Sequence, residues 1–514
     1  MSIIDIKNLT FCYEGSYDNI FDNTSVTLDS DWRLGFIGRN GRGKTTLLKL
    51  LCGEYEYRGS ISTSEHFDYF PFPVGDTSRS TLKVLTSVFP QLALWELTRE
   101  LFRLDLDEEI LYRPFHMLSN GEQTKAMLAL LFTKQDNFLL IDEPTNHLDK
   151  NSRQAVSKYL QSKRGFILIS HDRTFLDHCV DHILVLNKSG LEVQRGNFSG
   201  WWTQKERREQ FEMSENERLN RDIKRLSNSA KRTASWSNKL ESTKIGSHSA
   251  DRGAIGHKAA KMMKHAKVTE AHREKALEEK SALLKDLEQA SDILLKPARY
   301  HNNRFAEISD LTVQYGDQPL FAPLSFSIFQ GDRIALTGRN GSGKTSLLKL
   351  LLGSSVPPKN GVPSNKEIMS NTWFPVHNEI PYSGQVFVAS NLSLSYVSQD
   401  TSFLRGNIRD YASACGVEES LLKAVLRQLD FSRTQFEKDM ADYSEGQRKK
   451  VLIAKSLCDR AHLYIWDEPL NFIDVLSRIQ IENLLLTFQP TMLIVEHDEA
   501  FVRSVCTKTV TLSD

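Results

Sequence analysis

Two stretches of this sequence combine residue types and spacing suited to holding a nucleotide. Gly38–Thr45 and Gly338–Thr345 both read GxxxxGK[ST]. Such a loop wraps its backbone N–H groups around phosphate oxygens, and side chains would stand in the way. Glycine therefore fits at Gly38, Gly41 and Gly43, and at Gly338, Gly341 and Gly343. Lys44 and Lys344 would reach the β- and γ-phosphates, and Thr45 and Thr345 would ligate Mg²⁺. Asn40 and Thr46, like Asn340 and Ser346, belong to the same loops. Each loop opens directly into a helix, whose N-terminal end adds positive potential.

A second pair of motifs supplies carboxylates. "FLLIDEP" and "LYIWDEP" each place Asp-Glu after an apolar run. Asp142 and Asp467 suit the metal, and Glu143 and Glu468 can polarise an attacking water. A lone Asp-Glu pair serves equally well to start a helix. Its recurrence after a strand, at a fixed distance from a Gly loop, favours chemistry. Single histidines are more often plain surface or core residues. His171 and His497, at matched spacing after a strand, read as γ-phosphate sensors.

These motifs belong to an internal repeat. "GRNGRGKTTLLKLLCG" at 38–53 returns as "GRNGSGKTSLLKLLLG" at 338–353, with thirteen of sixteen positions identical. "LSNGEQ" answers to "YSEGQR", and "ILISHD" to "LIVEHD". Ser119 stands 24 residues before Glu143, and Ser444 stands 24 before Glu468. Two copies of one α/β nucleotide-binding domain follow, at 1–196 and 303–514. The runs "RLGFIG", "FLLID" and "FILIS" are predicted to be buried parallel strands.

Composition narrows the class. The 514 residues are 40% hydrophobic and 25% charged, with a formal net charge of zero. That is ordinary for a soluble globular chain. The six cysteines form no CxxC pair, which speaks against a metal site or a disulfide framework. "MSIIDIKNLT" lacks a signal-peptide pattern, and no apolar run approaches the roughly 18–20 residues that cross a bilayer. A cytoplasmic protein is expected, and a complete membrane transporter is excluded.

"LSNGEQ" and "YSEGQ" resemble variants of the ABC ATPase signature. With "EPTNHLD" they resemble the ABC-F family, whose soluble members carry two ABC domains in one chain. That resemblance implies head-to-tail pairing of the domains around two ATP molecules. Lys44 would share a site with Ser444 and Gly446, and Lys344 with Ser119 and Gly121. Tyr13 and Tyr315 match the family's adenine-stacking aromatic, although a tyrosine there is nearly as readily a core residue of a strand. Two departures stand out. The glutamine that follows a strand between Gly loop and signature is Gln399 in the second copy, a further metal ligand. Phe72 occupies that place in the first copy, and a phenylalanine can neither ligate Mg²⁺ nor orient water. "NFID" replaces "NHLD" in the second copy, at Phe472 and Ile473. Both sites keep Lys, Asp, Glu and His, and both are expected to bind and hydrolyse ATP.

Residues 197–302 separate the copies. No Gly or Pro occurs at 201–245 or 257–296. Apolar residues recur at Leu219, Ile223, Leu226 and Ala230, and at Leu283, Leu287, Ala290 and Leu294, one stripe of a helix each. The expectation is an antiparallel helical hairpin with its tip near 241–256. Residues 221–268 hold twelve Lys/Arg against three Asp/Glu, an excess that favours a polyanion over a merely solvated face. Interleaved aromatic, His and small residues suit irregular RNA. In the ABC-F family this hairpin inserts at the tRNA exit site of the ribosome. "KLESTKIGSHSADRGAIGHKAAKMMK", "YFPFP" and "NFID" look most like the Lsa/Vga-type resistance branch, whose long tip approaches the peptidyl-transferase centre. The resemblance implies contacts with large-subunit rRNA and tRNA through Lys244, Ile245, His248, Ile255, His257 and Lys258. It implies protection against lincosamides, pleuromutilins and streptogramin A by a monomer whose two domains pair internally. A housekeeping translation factor of the same family and the ATPase subunit of an exporter are the competing readings.

Overall fold

A computed structural model describes the chain apart from residues 1, 14–18, 135–136, 146–147, 149, 188–189, 244–297, 316–317, 340, 355–379 and 514, and apart from the side chains at 150, 222–223, 225–243, 315, 318 and 354. Contacts divide it into two compact units. One comprises Met1–Ser199 with Asp292–Asp514, and the other is Gly200–Ser291.

In the first copy, β1 (Ile3–Phe11), β2 (Phe21–Asp29) and β4 (Arg58–Ser62) form an antiparallel sheet with β1 at its centre. A second sheet joins β3 (Arg33–Gly38), β5 (His66–Phe70), β6 (Asn137–Asp142), β7 (Phe166–Ile169), β8 (His182–Asn187) and β9 (Gly190–Arg195), in the order β5-β6-β7-β3-β8-β9. All its pairings are parallel except β8 with β9. Strands covered on both faces must be apolar throughout. Leu139, Leu140 and Ile141, and Phe166 to Ile169, are accordingly buried.

The second copy repeats this order. The strands β13 (Arg333–Thr337), β15 (Leu394–Val397), β16 (Leu463–Asp467), β17 (Met492–Val495) and β18 (Lys508–Thr511) run β15-β16-β17-β13-β18, all parallel. Its antiparallel sheet centres on β10 (Arg304–Tyr315), paired with β11 (Gln318–Pro319), β12 (Leu324–Phe329) and β14 (Tyr382–Val388).

Parallel strands bring their carboxyl ends to one edge, where ligand crevices of such sheets lie. The Gly loops leave β3 and β13 there, Asp142 and Asp467 end β6 and β16, and the two histidines follow β7 and β17. Register aligns the copies further. Phe70 pairs with Ile141, and Val397 with Trp466, so Phe72 stands where Gln399 does.

The linker begins with a helix over Phe198–Thr243, 46 residues, or roughly 70 Å at 1.5 Å per residue. The second expected helix and the tip, with Lys244, Ile245, His248, Ile255, His257 and Lys258, lie outside the described residues. No helix of the described residues is long and apolar enough to cross a membrane.

Candidate functional site

The first Gly loop bounds a cavity of about 330 Å³ that Tyr13, Lys44, Thr45, Asp142, Glu143 and His171 help to line. Gly43 has φ 99°, and a Cβ there would stand 2.4 Å from Ile20. Only glycine fits that turn. Lys44 Nζ donates to the Gly38 carbonyl at 2.8 Å and to Asn40 Oδ1 at 3.2 Å, curling back into its own loop. Thr45 Oγ1 donates to Asp142 Oδ2 at 2.7 Å, and the Tyr69 hydroxyl to the same oxygen at 3.0 Å. The Tyr13 hydroxyl lies 2.8 Å from Thr46 Oγ1.

The second loop bounds a cavity of about 430 Å³, with Lys344, Thr345, Ser346, Gln399, Glu468 and His497 on its walls. Lys344 Nζ donates to the carbonyls of Gly338 and Arg339 at 2.9 and 2.7 Å. Gln399 Nε2 and Asn471 Nδ2 both donate to Glu468 Oε2, at 2.9 and 2.7 Å. Asn340 and the Tyr315 side chain lie outside the described residues and side chains.

Both glutamates sit in the left-handed region, at φ 52° for Glu143 and 46° for Glu468. Such backbone costs about 1–3 kcal/mol at a non-glycine residue and persists where surroundings over-determine it. Here the Glu143 N–H is held by the Ile169 carbonyl at 2.9 Å, and that of Glu468 by Val495 at 3.0 Å. Strain repeated at the same position of both copies marks a functional place.

The carboxyls differ in charge state. Burial, then the neighbouring Asp142, push Glu143 up to about 8. Its partner His171, with Nε2 3.1 Å away, is driven well down, by burial and then by Lys44. Both shifts favour a neutral pair at pH 7. Burial also works to raise Glu468, but the adjacent His497 ring, Lys344 and Lys449 outweigh it and hold Glu468 below its ordinary value. His497 Nε2 lies 3.7 Å from Glu468 Oε1. Burial pushes Asp467 up to about 6.

The two copies meet at the first Gly loop. Asn40 Nδ2 donates to the Phe472 carbonyl at 2.7 Å, and the Asn40 N–H to Asp474 Oδ2 at 3.3 Å. A Cβ on Gly446 would lie 2.9 Å from Asn40 Nδ2 and 2.3 Å from the Phe472 carbonyl oxygen, so glycine is required for this approach. Arg39 pairs with Asp430 at 2.7 Å, and Arg42 with the same carboxylate at 3.6 Å. Lys44 and Gly446 thus converge on one loop. At the second cavity the first copy supplies Leu148 and Arg153 to the wall. Gly121 packs on Leu148, its Cβ position 3.6 Å from that side chain. Ser119 and Ser444 cap the helices Asn120–Leu131 and Glu445–Cys458, and neither is among the described residues lining the cavity of the opposing loop.

Sequence reasoning missed Tyr69, Asn471, Arg153 and Asp430. Tyr69 and Asn471 stand inside stretches already singled out, "YFPFP" and "NFID", and their polar side chains beside apolar neighbours are the signal that was available. Arg153 and Asp430 carry no such signal.

The residues present fit a nucleotide with Mg²⁺. Asp142 already accepts from the threonine hydroxyl beside it, the hard oxygen pair that Mg²⁺ takes from protein while water and phosphate complete its shell. Among the described residues the buried Glu143 oxygens accept no well-aligned hydrogen bond, and His171 Nε2 lies 3.1 Å from Oε1.

A family profile described as ABC transporter matches residues 21–146 and 321–471. The chain belongs to this family and is an ATP-hydrolysing enzyme whose two ABC domains bind ATP. Among ABC proteins it is an ABC-F ATPase. It is 28% identical to the ribosome protection protein VmlR of Bacillus subtilis, over 100% of this chain and 87% of that protein. It is 25% identical to the energy-dependent translational throttle protein EttA of Haemophilus influenzae, over 96% of this chain and 89% of that one. A solved structure of the archaeal ribosome recycling factor aABCE1 with stalk protein aP1 shares the fold, with a TM-score of 0.58, 17% identity and coverage of 98% and 87%.

Proposed function

We propose that this chain is a cytoplasmic ribosome-protection ATPase acting against drugs of the large-subunit peptidyl-transferase centre: lincosamides, pleuromutilins and streptogramin A. The observation that carries the reading is likeness along the whole chain to a ribosome protection protein, 28% identical over 100% of this chain. The basic segment 221–268 supports an RNA partner.

In this reading Lys44 and Lys344 hold the terminal phosphates. Thr45 with Asp142, and Thr345 with Asp467 and Gln399, hold Mg²⁺, which when bound neutralises phosphate charge. Glu143 and Glu468 orient and polarise water, and His171 and His497 contact the γ-phosphate. Ser119 with Gly121, and Ser444 with Gly446, close over the nucleotide of the opposite domain. Tyr13 and Tyr315 stack on adenine. Closure of the domains around ATP favours a single molecule bound at the ribosomal exit site. The hairpin then carries Lys244, Ile245, His248, Ile255, His257 and Lys258 toward rRNA, tRNA and drug. Hydrolysis reopens the clamp and frees the protein.

The test is to shorten 245–255 to a tight Gly-containing turn and express both forms equally in a susceptible strain. Resistance should fall while ATP hydrolysis and ribosome binding remain. Full resistance from the shortened form refutes the role of the tip. The likeness to EttA favours a second reading, a translation factor that acts without drug. A deletion strain with unchanged drug susceptibility would support it.

A further inference from the structure

We infer that inorganic phosphate leaves the second nucleotide site through a separate cavity behind it, and that the charge at the matching place beside the first site opposes the same exit. The inference rests on the proposed hydrolysis at Glu468.

The cavity, of about 570 Å³, lies between the helices Lys150–Gln161 and Arg173–Cys179 of the first copy and Glu499–Val505 of the second. Arg153 and His497 line both it and the nucleotide cavity, so they form the wall between the two. That wall is thin and polar. Arg153 Nη1 donates to the His497 carbonyl at 3.3 Å and to Asp172 Oδ2 at 3.4 Å. The buried Arg153 Nε and His497 Nε2 have no hydrogen-bond partner among the described residues. A guanidinium with a free N–H beside a cleaved γ-phosphate is a ready partner for an anion. The far end opens to solvent at the exposed Lys158, His178 and Arg503.

The internal repeat supplies a control. Matching His171 to His497, and Asp149 to Asp474, puts Glu482 where Ser157 stands and Asn483 where Lys158 stands. The same match puts Arg173 in place of Glu499 and Asp177 in place of Arg503. The second-site side thus holds three cations, Arg153, Lys158 and Arg503, against Asp172 and Glu499. Its counterpart holds Arg478 and Arg173 against three carboxylates, Asp498, Glu482 and Asp177. Arg173 Nη2 also donates to Glu482 Oε2 at 2.5 Å, closing the counterpart with an ion pair between the copies. Phosphate carries one to two negative charges at neutral pH, so only the first arrangement draws it outward.

The variant Lys158→Glu/Arg503→Glu changes two exposed rim residues and touches neither nucleotide cavity. In a Glu143→Gln background, rapid quench would follow ATP cleavage and a fluorescent phosphate sensor would follow release. Cleavage should keep its rate while release slows about tenfold. In a Glu468→Gln background release should be unaffected. Release that keeps pace with cleavage, or equal slowing in both backgrounds, overturns the inference. Calorimetric titration of the nucleotide-free protein with inorganic phosphate gives an arm independent of turnover. Wild type should bind phosphate that the rim variant does not, and identical isotherms overturn the inference. If the Glu143→Gln protein cleaves no ATP, the reading of hydrolysis at Glu468 fails, and the titration alone decides.

Discussion

The two nucleotide cavities share their motifs and differ in what surrounds the glutamate. Around Glu468 stand two amide donors, Gln399 and Asn471, and the buried Lys449, whose Nζ donates to the Ser398 carbonyl at 2.7 Å. At the matching positions the first copy has Phe72 in place of the glutamine and Thr124 in place of the lysine. The second glutamate is kept ionised and aimed, whereas burial and Asp142 push the first toward its neutral form. At the first loop, Asn40, Arg39 and Arg42 are all engaged by the opposite copy. The two sites thus differ in what surrounds their glutamates, and the second is expected to carry most of the hydrolysis.

The strongest way to break this comparison is to remove both glutamates. Glu143→Gln/Glu468→Gln should retain ATP binding and lose hydrolysis by about 10³-fold. In sedimentation with ATP the double variant should stay on ribosomes, and a variant found free of them contradicts the clamp. Exchange of the diverged residue sharpens the contrast. Gln399→Phe should lower single-turnover cleavage by about tenfold, through loss of the donor to Glu468. Phe72→Gln in a Glu468→Gln background should raise first-site cleavage by a smaller factor. Equal effects of the two exchanges would erase the assigned asymmetry.

Asp430→Ala removes the shared partner of Arg39 and Arg42. Such a partly exposed pair contributes about 1 kcal/mol or less. ATP affinity at the first loop, titrated in a Lys344→Ala background, should weaken by no more than about fivefold. The smallest effect concerns pH. Glu143 titrates near 8 in the fold, and near the ordinary carboxylate value when unfolded. Below both values it contributes nothing to pH dependence. Between them the folded state binds the extra proton, so the stability of the nucleotide-free protein falls as pH rises. Glu143→Gln should flatten that fall, a difference on the order of a degree or two in Tm by calorimetry.

Much of this was legible in the sequence because it is local or repeated. The Gly loops, the strand-Asp-Glu runs and the histidines each sit within a few residues of the elements that aim them. The absence of glutamine at Phe72 could be read by aligning one copy on the other, and the strand registers place Phe72 opposite Gln399. Contacts made by the fold were not legible. Asp430 follows a helix of the second copy with nothing local to mark it, yet it reaches Arg39. Arg153 looks like any helix cation until the copies close around it. Tyr69 reads as one more strand aromatic, because alternation along β5 does not reveal that its hydroxyl meets Asp142.

The central claim is that the second site carries most of the hydrolysis. Single-turnover cleavage of ATP by Glu143→Gln and by Glu468→Gln, each measured alone with saturating Mg²⁺, tests it most directly. Glu468→Gln should lose about 10²-fold in rate, and Glu143→Gln less than about threefold. A greater loss from Glu143→Gln than from Glu468→Gln would contradict the account.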